Sequence, residues 1–172
     1  MQYSALMLKY IGFIVAISIL SVACSPNTSS TSQSEVLDSR AEGAFTLYQL
    51  DGDRYPGEPV PEGGEILQGW LILKACSIED TATRNQIFKA FDEGIDTAPG
   101  GPGVDCFNPR HAISVIQPDG VRTDWLICFQ CWNWYSYENN TMIGGGGTSR
   151  APADVFNKIL TACASNTKAD GK

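Results

Sequence analysis

Hydrophobic residues come in two spacings along this chain: short continuous runs that suit strands, and repeats at every third or fourth position that suit helices. Ala44 to Leu50 (AFTLYQL) is a first strand-like run, closed by Asp51-Gly52. Pro56, Pro59, Pro61 and Gly63-Gly64 follow, a loop that cannot be a central strand because each proline lacks a ladder donor. Ile66 to Ala75 (ILQGWLILKA) is apolar enough to predict one buried central strand. Ser77 and Asp80 have the spacing of a capping box, and Ile87, Phe88, Phe91 and Ile95 then recur at helical spacing, with Gly94 as the expected stop.

Beyond a Gly/Pro-rich loop through Gly103, His111 to Ile116 and Val121 to Gln130 flank Pro118-Asp119-Gly120, which predicts a hairpin. Its register depends on the turn. A two-residue loop sets Cys106 opposite Cys131, whereas a type I turn with a Gly120 bulge slips the ladder by one and puts Cys106 on the face of Cys128. Trp132 to Glu138 extends the sheet to a turn at Asn139-Asn140, and Gly144 to Gly147 reads as a mobile connection. Pro152 stands where a helix could begin, and Val155, Phe156, Ile159, Leu160 and Cys163 form one apolar stripe. The predicted fold is α+β: an antiparallel sheet of about five strands, order ββαβββα, with two helices on one face because each helix has a single stripe to bury.

Ahead of this body lies a different pattern. Lys9 precedes an apolar run from Tyr10 to Leu20, followed by Ser21-Val22-Ala23-Cys24. The run is short of the roughly 20 residues a membrane span needs, and small residues follow at once, so residues 1–23 are expected to be a signal peptide. The segment resembles a bacterial lipoprotein signal, which implies lipidation at Cys24, although Ser21 holds the place where that signal has an aliphatic residue. Ser21-x-Ala23 equally suits ordinary signal peptidase. Residues 24–40 begin CSPNTSSTSQS and read as a flexible Ser/Thr-rich tether, 41–166 as one α+β domain, and 167–172 as a C-terminal tail.

Charge narrows the partners. The 172-residue chain has 12 basic and 19 acidic residues, and removing residues 1–23 takes away only Lys9. Nucleic acid and anionic membrane surfaces are disfavoured, because both need clustered Lys and Arg.

Setting Cys24 aside leaves Cys76, Cys106, Cys128, Cys131 and Cys163, an odd number for an oxidising compartment. Cys76 ends the expected central strand and Cys163 lies on the stripe of the last helix, so these two are the first expected pair. Cys106, His111, Cys128 and Cys131 then match the inventory of a Cys₃His zinc site. Against zinc, Phe129 and Gln130 sit in a strand-like run, where residues three apart face opposite ways. A disulfide from Cys106 to Cys128 or Cys131 is the expectation that follows. His111, the only histidine, reads as the start of a strand with a backbone hydrogen bond, and Arg110 as paired with Asp105 or Asp124 or as a contact for an anion. Trp132 with Trp134, and Tyr135 with Tyr137, fall on opposite strand faces, so one pair is core and the other a possible platform for sugar rings.

Cys106-Phe-Asn-Pro-Arg-His-Ala-Ile113 and Ile127-Cys-Phe-Gln-Cys131 also carry a resemblance: the chain resembles an uncharacterised family of small exported bacterial (lipo)proteins with the pattern CFxPRHxI and ICFxC. It extends from about Tyr48 to Leu160, and implies export and a shared fold but no activity. The leading expectation is an envelope-anchored lipoprotein domain, facing the periplasm or exterior, that binds a ligand, glycan or envelope protein rather than catalysing a reaction. Candidate contacts are Arg110, His111, Trp132 and Trp134, with no cofactor. A zinc protein using Cys106, His111, Cys128 and Cys131, and a thiol oxidoreductase or cysteine-dependent enzyme, are the alternatives.

Overall fold

A computed structural model describes residues 38–100 and 106–166 of the chain; the signal segment, Cys24, Asp105 and the C-terminal tail lie outside the described residues. In chain order the elements are β1 (Ala44–Leu50), β2 (Ile66–Leu67), β3 (Trp70–Ser77), α1 (Thr81–Asp96), β4 (His111–Ile116), β5 (Arg122–Cys128), β6 (Asn133–Glu138), β7 (Thr141–Gly147) and α2 (Ala153–Asn166). The strands form one antiparallel sheet in the order β2-β3-β1-β4-β5-β6-β7. No helix among the described residues is long and apolar enough to cross a membrane.

The α+β class and the two helices follow the periodicity, but seven strands replace the expected five and the order is βββαββββα. Ile66 to Ala75 is not one central strand. It turns at Gln68 and Gly69, both at positive φ (50° and 87°), as a two-residue hairpin requires. The central strand is β4, whose first five residues are buried. Gly144 to Gly147 is strand as well, paired with β6. Glycine is needed there because a Cβ at Gly145 would meet Tyr135 Cδ1 at 2.5 Å and the Trp134 carbonyl oxygen at 2.9 Å.

Both helices cover the same sheet face. Ile87, Phe88 and Phe91 of α1 with Phe156 and Leu160 of α2 bury against Phe45, Leu47, Ile113, Val115 and Ile127. Each such side chain contributes about 1.5 to 3 kcal/mol of burial. The N-cap of α1 is Asp80, not Ser77, which ends β3; Asp80 Oδ2 accepts from the Thr83 amide at 2.8 Å. Nor does Gly94 stop the helix. It lets the loop before α2 approach, since a Cβ would meet Pro152 Cγ at 2.6 Å. The Cys76 and Cys163 sulfurs lie 2.01 Å apart, and Lys74 Nζ donates to the Leu160 carbonyl at 3.0 Å, so β3 and α2 are tied twice.

The opposite face is covered by the sheet's own curl. Leu50, Leu67, Trp70, Ala112 and Leu126 form a second core there. Gln68 at the β2–β3 turn reaches across it, its Nε2 donating to Asp124 Oδ2 at 2.7 Å and Asn140 Oδ1 at 3.0 Å. Buried Asp124 also accepts from Arg122 Nε at 2.8 Å, so its charge is paired.

Structure begins before the Ala41 boundary expected from sequence. Asp38 caps a 3₁₀ turn, Ser39–Ala41, and its amide donates to Asn85 Oδ1. Arg40 forks onto Asp92 at 2.9 and 2.6 Å and lies over the Phe88 ring. Buried Arg84 donates to three carbonyls, of Ile78, Ala41 and Gly43, which joins β1, the β3–α1 link and the 3₁₀ turn.

Candidate functional site

The chemistry expected from sequence converges where β4 begins and β5 ends. The β4–β5 hairpin takes the bulged register: His111 pairs with Ile127, Ile116 with Arg122, and Gly120 follows the turn at φ 87°. The ladder then stops at Cys128. Phe129 to Trp132 form a turn in which the Cys131 amide donates to the Cys128 carbonyl at 3.1 Å and Trp132 adopts φ 57°.

That turn overturns the expectation that Cys128 and Cys131 face opposite ways. Their sulfurs meet at disulfide distance, and the Cys131 amide donates to Cys128 Sγ at 3.1 Å. Cys106, expected to bond one of them, is a free, exposed thiol whose Sγ lies 3.1 Å from Cys131 Sγ. His111 has a different partner. Its Nε2 lies 2.9 Å from Asn157 Oδ1, and among the described residues no group of three or more His, Cys, Asp or Glu could hold a metal, so the zinc set is not assembled.

The helix-facing side of the same turn opens onto a cavity of about 220 Å³. Gln49, Asn108, Arg110, His111, Gln130 and Asn157 supply its polar lining, and Phe129 with Leu50 part of its apolar wall. His111 is 7% exposed and packs against the rings of Phe129 (5.3 Å) and Phe156 (5.7 Å), which also touch each other (5.3 Å). Burial holds its pKa below the ordinary histidine value against the opposing Asn157 hydrogen bond, and Arg110 lowers it further. Neutral imidazole with Nε2–H donating to Asn157 leaves Nδ1 as an acceptor, and Nδ1 is buried with no partner among the described residues. The expected backbone bond is therefore replaced by a side-chain bond from α2.

Arg110 pairs with Asp53 at 2.5 Å rather than with Asp124, which Arg122 and Gln68 engage; Asp105 lies outside the described residues. The expected aromatic platform does not form. Trp134 packs on Phe91 (5.4 Å) and Phe107 covers Tyr135 (4.6 Å). Trp132, turned off the strand, is exposed under the Arg150 guanidinium. Asn157, Gln130, Gln49 and Asn108 had not been singled out from sequence. Asn157 alone carried a hint, as a polar residue beside the apolar stripe of α2. Comparison with models of protein families, with curated proteins and with solved structures finds no match.

Proposed function

We propose that this chain is an exported binding module, held in the bacterial envelope through Cys24, that takes a small uncharged polar ligand in the His111–Asn157 cavity. The observation that carries the reading is the unpartnered Nδ1 of a buried, neutral histidine beside a cavity. An acceptor without a partner costs about 1 to 3 kcal/mol, which a ligand hydroxyl or amide donor would recover once the His111 ring moves to present the buried Nδ1 to the cavity. The lining is matched to such a ligand: Gln49, Asn108, Gln130 and Asn157 are neutral amides, and Arg110 is neutralised by Asp53. Amides beside aromatic rings are the contacts that sugars use, and a glycan fragment is the class we favour.

N-acetylglucosamine titrated into labelled protein is the direct probe. Amide shifts should cluster at His111, Gln130 and Asn157 and vanish in His111→Phe, which fills the site with a ring that cannot accept. An absence of shifts in the native protein, or equal shifts in the variant, would overturn the reading. Anchoring rests on the residues before Cys24, so Cys24→Ala should release the protein from membranes; unchanged fractionation and mature mass would remove that part.

A further inference from the structure

We propose that Cys106, Cys128 and Cys131 form one thiol–disulfide relay, in which Cys106 carries electrons between a low-mass disulfide in solution and the buried Cys128–Cys131 pair. Cys131 Sγ is shared by two competitors. Cys128 Sγ lies at bonding distance, and Cys106 Sγ lies 3.1 Å away. The three differ sharply in access, because Cys128 and Cys131 are each 1% exposed while Cys106 is an exposed thiol. Exchange requires a thiolate to reach a disulfide sulfur, so a reagent in solution can begin only at Cys106, whereas Cys106 can reach Cys131 from within.

The steps balance from the reduced state. The Cys106 thiolate attacks an external disulfide RSSR, forming a Cys106–SR bond and releasing RS⁻. Cys131 thiolate attacks the Cys106 sulfur, forms a Cys106–Cys131 bond and releases the second RS⁻. Cys128 thiolate then attacks Cys131, the Cys128–Cys131 bond forms, and Cys106 leaves as thiolate to be reprotonated. One RSSR has become two RSH, whose protons come from the thiols of Cys128 and Cys131, and Cys106 ends as it began. In the reverse direction Cys128 is the leaving sulfur of the first internal step. The Cys131 amide, which donates to Cys128 Sγ at 3.1 Å, is placed to stabilise charge there.

Binding at the His111 cavity is not needed for this chemistry, so the two proposals fail separately. Reduced full-length protein is exposed to 2-hydroxyethyl disulfide, quenched by alkylation at intervals and digested with trypsin. Cleavage after Arg110, Arg122 and Arg150 leaves Cys106 on one peptide and Cys128 with Cys131 on another. A mercaptoethanol adduct on Cys106 should appear first, then a link between the two peptides, then a bridge internal to the second. Cys106→Ser, an exposed coil position, should slow formation of that bridge at least tenfold, and Cys128→Ser should arrest the protein at the Cys106–Cys131 link. An unchanged rate in Cys106→Ser, a first adduct on Cys128 or Cys131, failure of Cys128→Ser to cross-link, or three alkylatable cysteines released only on removing bound zinc would each overturn the proposal.

Discussion

Among the described residues two places bring cysteine sulfurs together, and they differ in what the bond encloses. Cys76 and Cys163 are 87 residues apart in sequence and join β3 to α2; Cys128 and Cys131 are three apart and close a single turn. In the chain-entropy account a cross-link acts by restricting the unfolded chain, which gives about 4 to 5 kcal/mol for the first loop and about 2 kcal/mol for the second. The first joins a buried Cys76 to a half-buried Cys163 with no third cysteine at hand among the described residues, while the second, itself buried, has the exposed Cys106 thiol beside it. One bond is suited to hold the fold and the other to open, although both are disulfides in the same domain.

The sharpest test of that contrast is to remove each bond alone. Cys76→Ala with Cys163→Ala should cost about 4 kcal/mol in urea unfolding under non-reducing conditions, and Cys128→Ser no more than about 2 kcal/mol. Equal losses would mean that the turn bridge is as structural as the long one. A smaller effect separates the two regions by pH, because the turn region contains His111 and the long bridge has no titrating partner of that kind. Burial lowers the folded-state pKa of His111 below an unfolded value of about 6.5, so the unfolded chain binds the proton first. Stability should therefore fall as pH drops below about 6.5, by at most about 1.4 kcal/mol per pH unit, and level off once the folded-state pKa is passed. His111→Gln should remove that slope. A slope surviving in the variant would place its origin in other groups.

What the sequence revealed, and what it hid, divides along the same physical line. The strand Ala44–Leu50 and both helical stripes were legible because their own residues alternate between core and surface, and His111–Ile116 because a short, nearly continuous apolar run beside a turn signal marks a buried strand. The β2–β3 turn was not, because glutamine seldom adopts positive φ; what holds Gln68 there is an amide bonded to Asp124, 56 residues away. Strand β7 was hidden because four glycines have no side-chain pattern, and what crowds Gly145 and Gly146 is the bulk of Trp134 and Tyr135 on the neighbouring strand. The turn at Phe129-Gln130 looked like strand for the opposite reason, its side chains being those a strand would carry. The candidate residues Cys106, His111, Cys128 and Cys131 could be picked out by chemistry, but not their grouping. The ring of His111 is turned to Asn157 by α2 packing across β4, a tertiary fact with no local signature.

The arginine cluster around the start of β1 has a mechanical consequence. Strand β1 is the first strand in the chain yet lies between β3 and β4, so a pull on its leading end along its own axis shears two ladders together. Bonds sheared together share the force, whereas an edge strand peeled from its end yields one bond at a time. Before the force reaches either ladder it meets the Arg40–Asp92 fork, the Asp38–Asn85 bond and the three carbonyls gripped by Arg84. A pull applied at residue 38 would therefore load these bonds before the sheet that frames the cavity and the sulfurs.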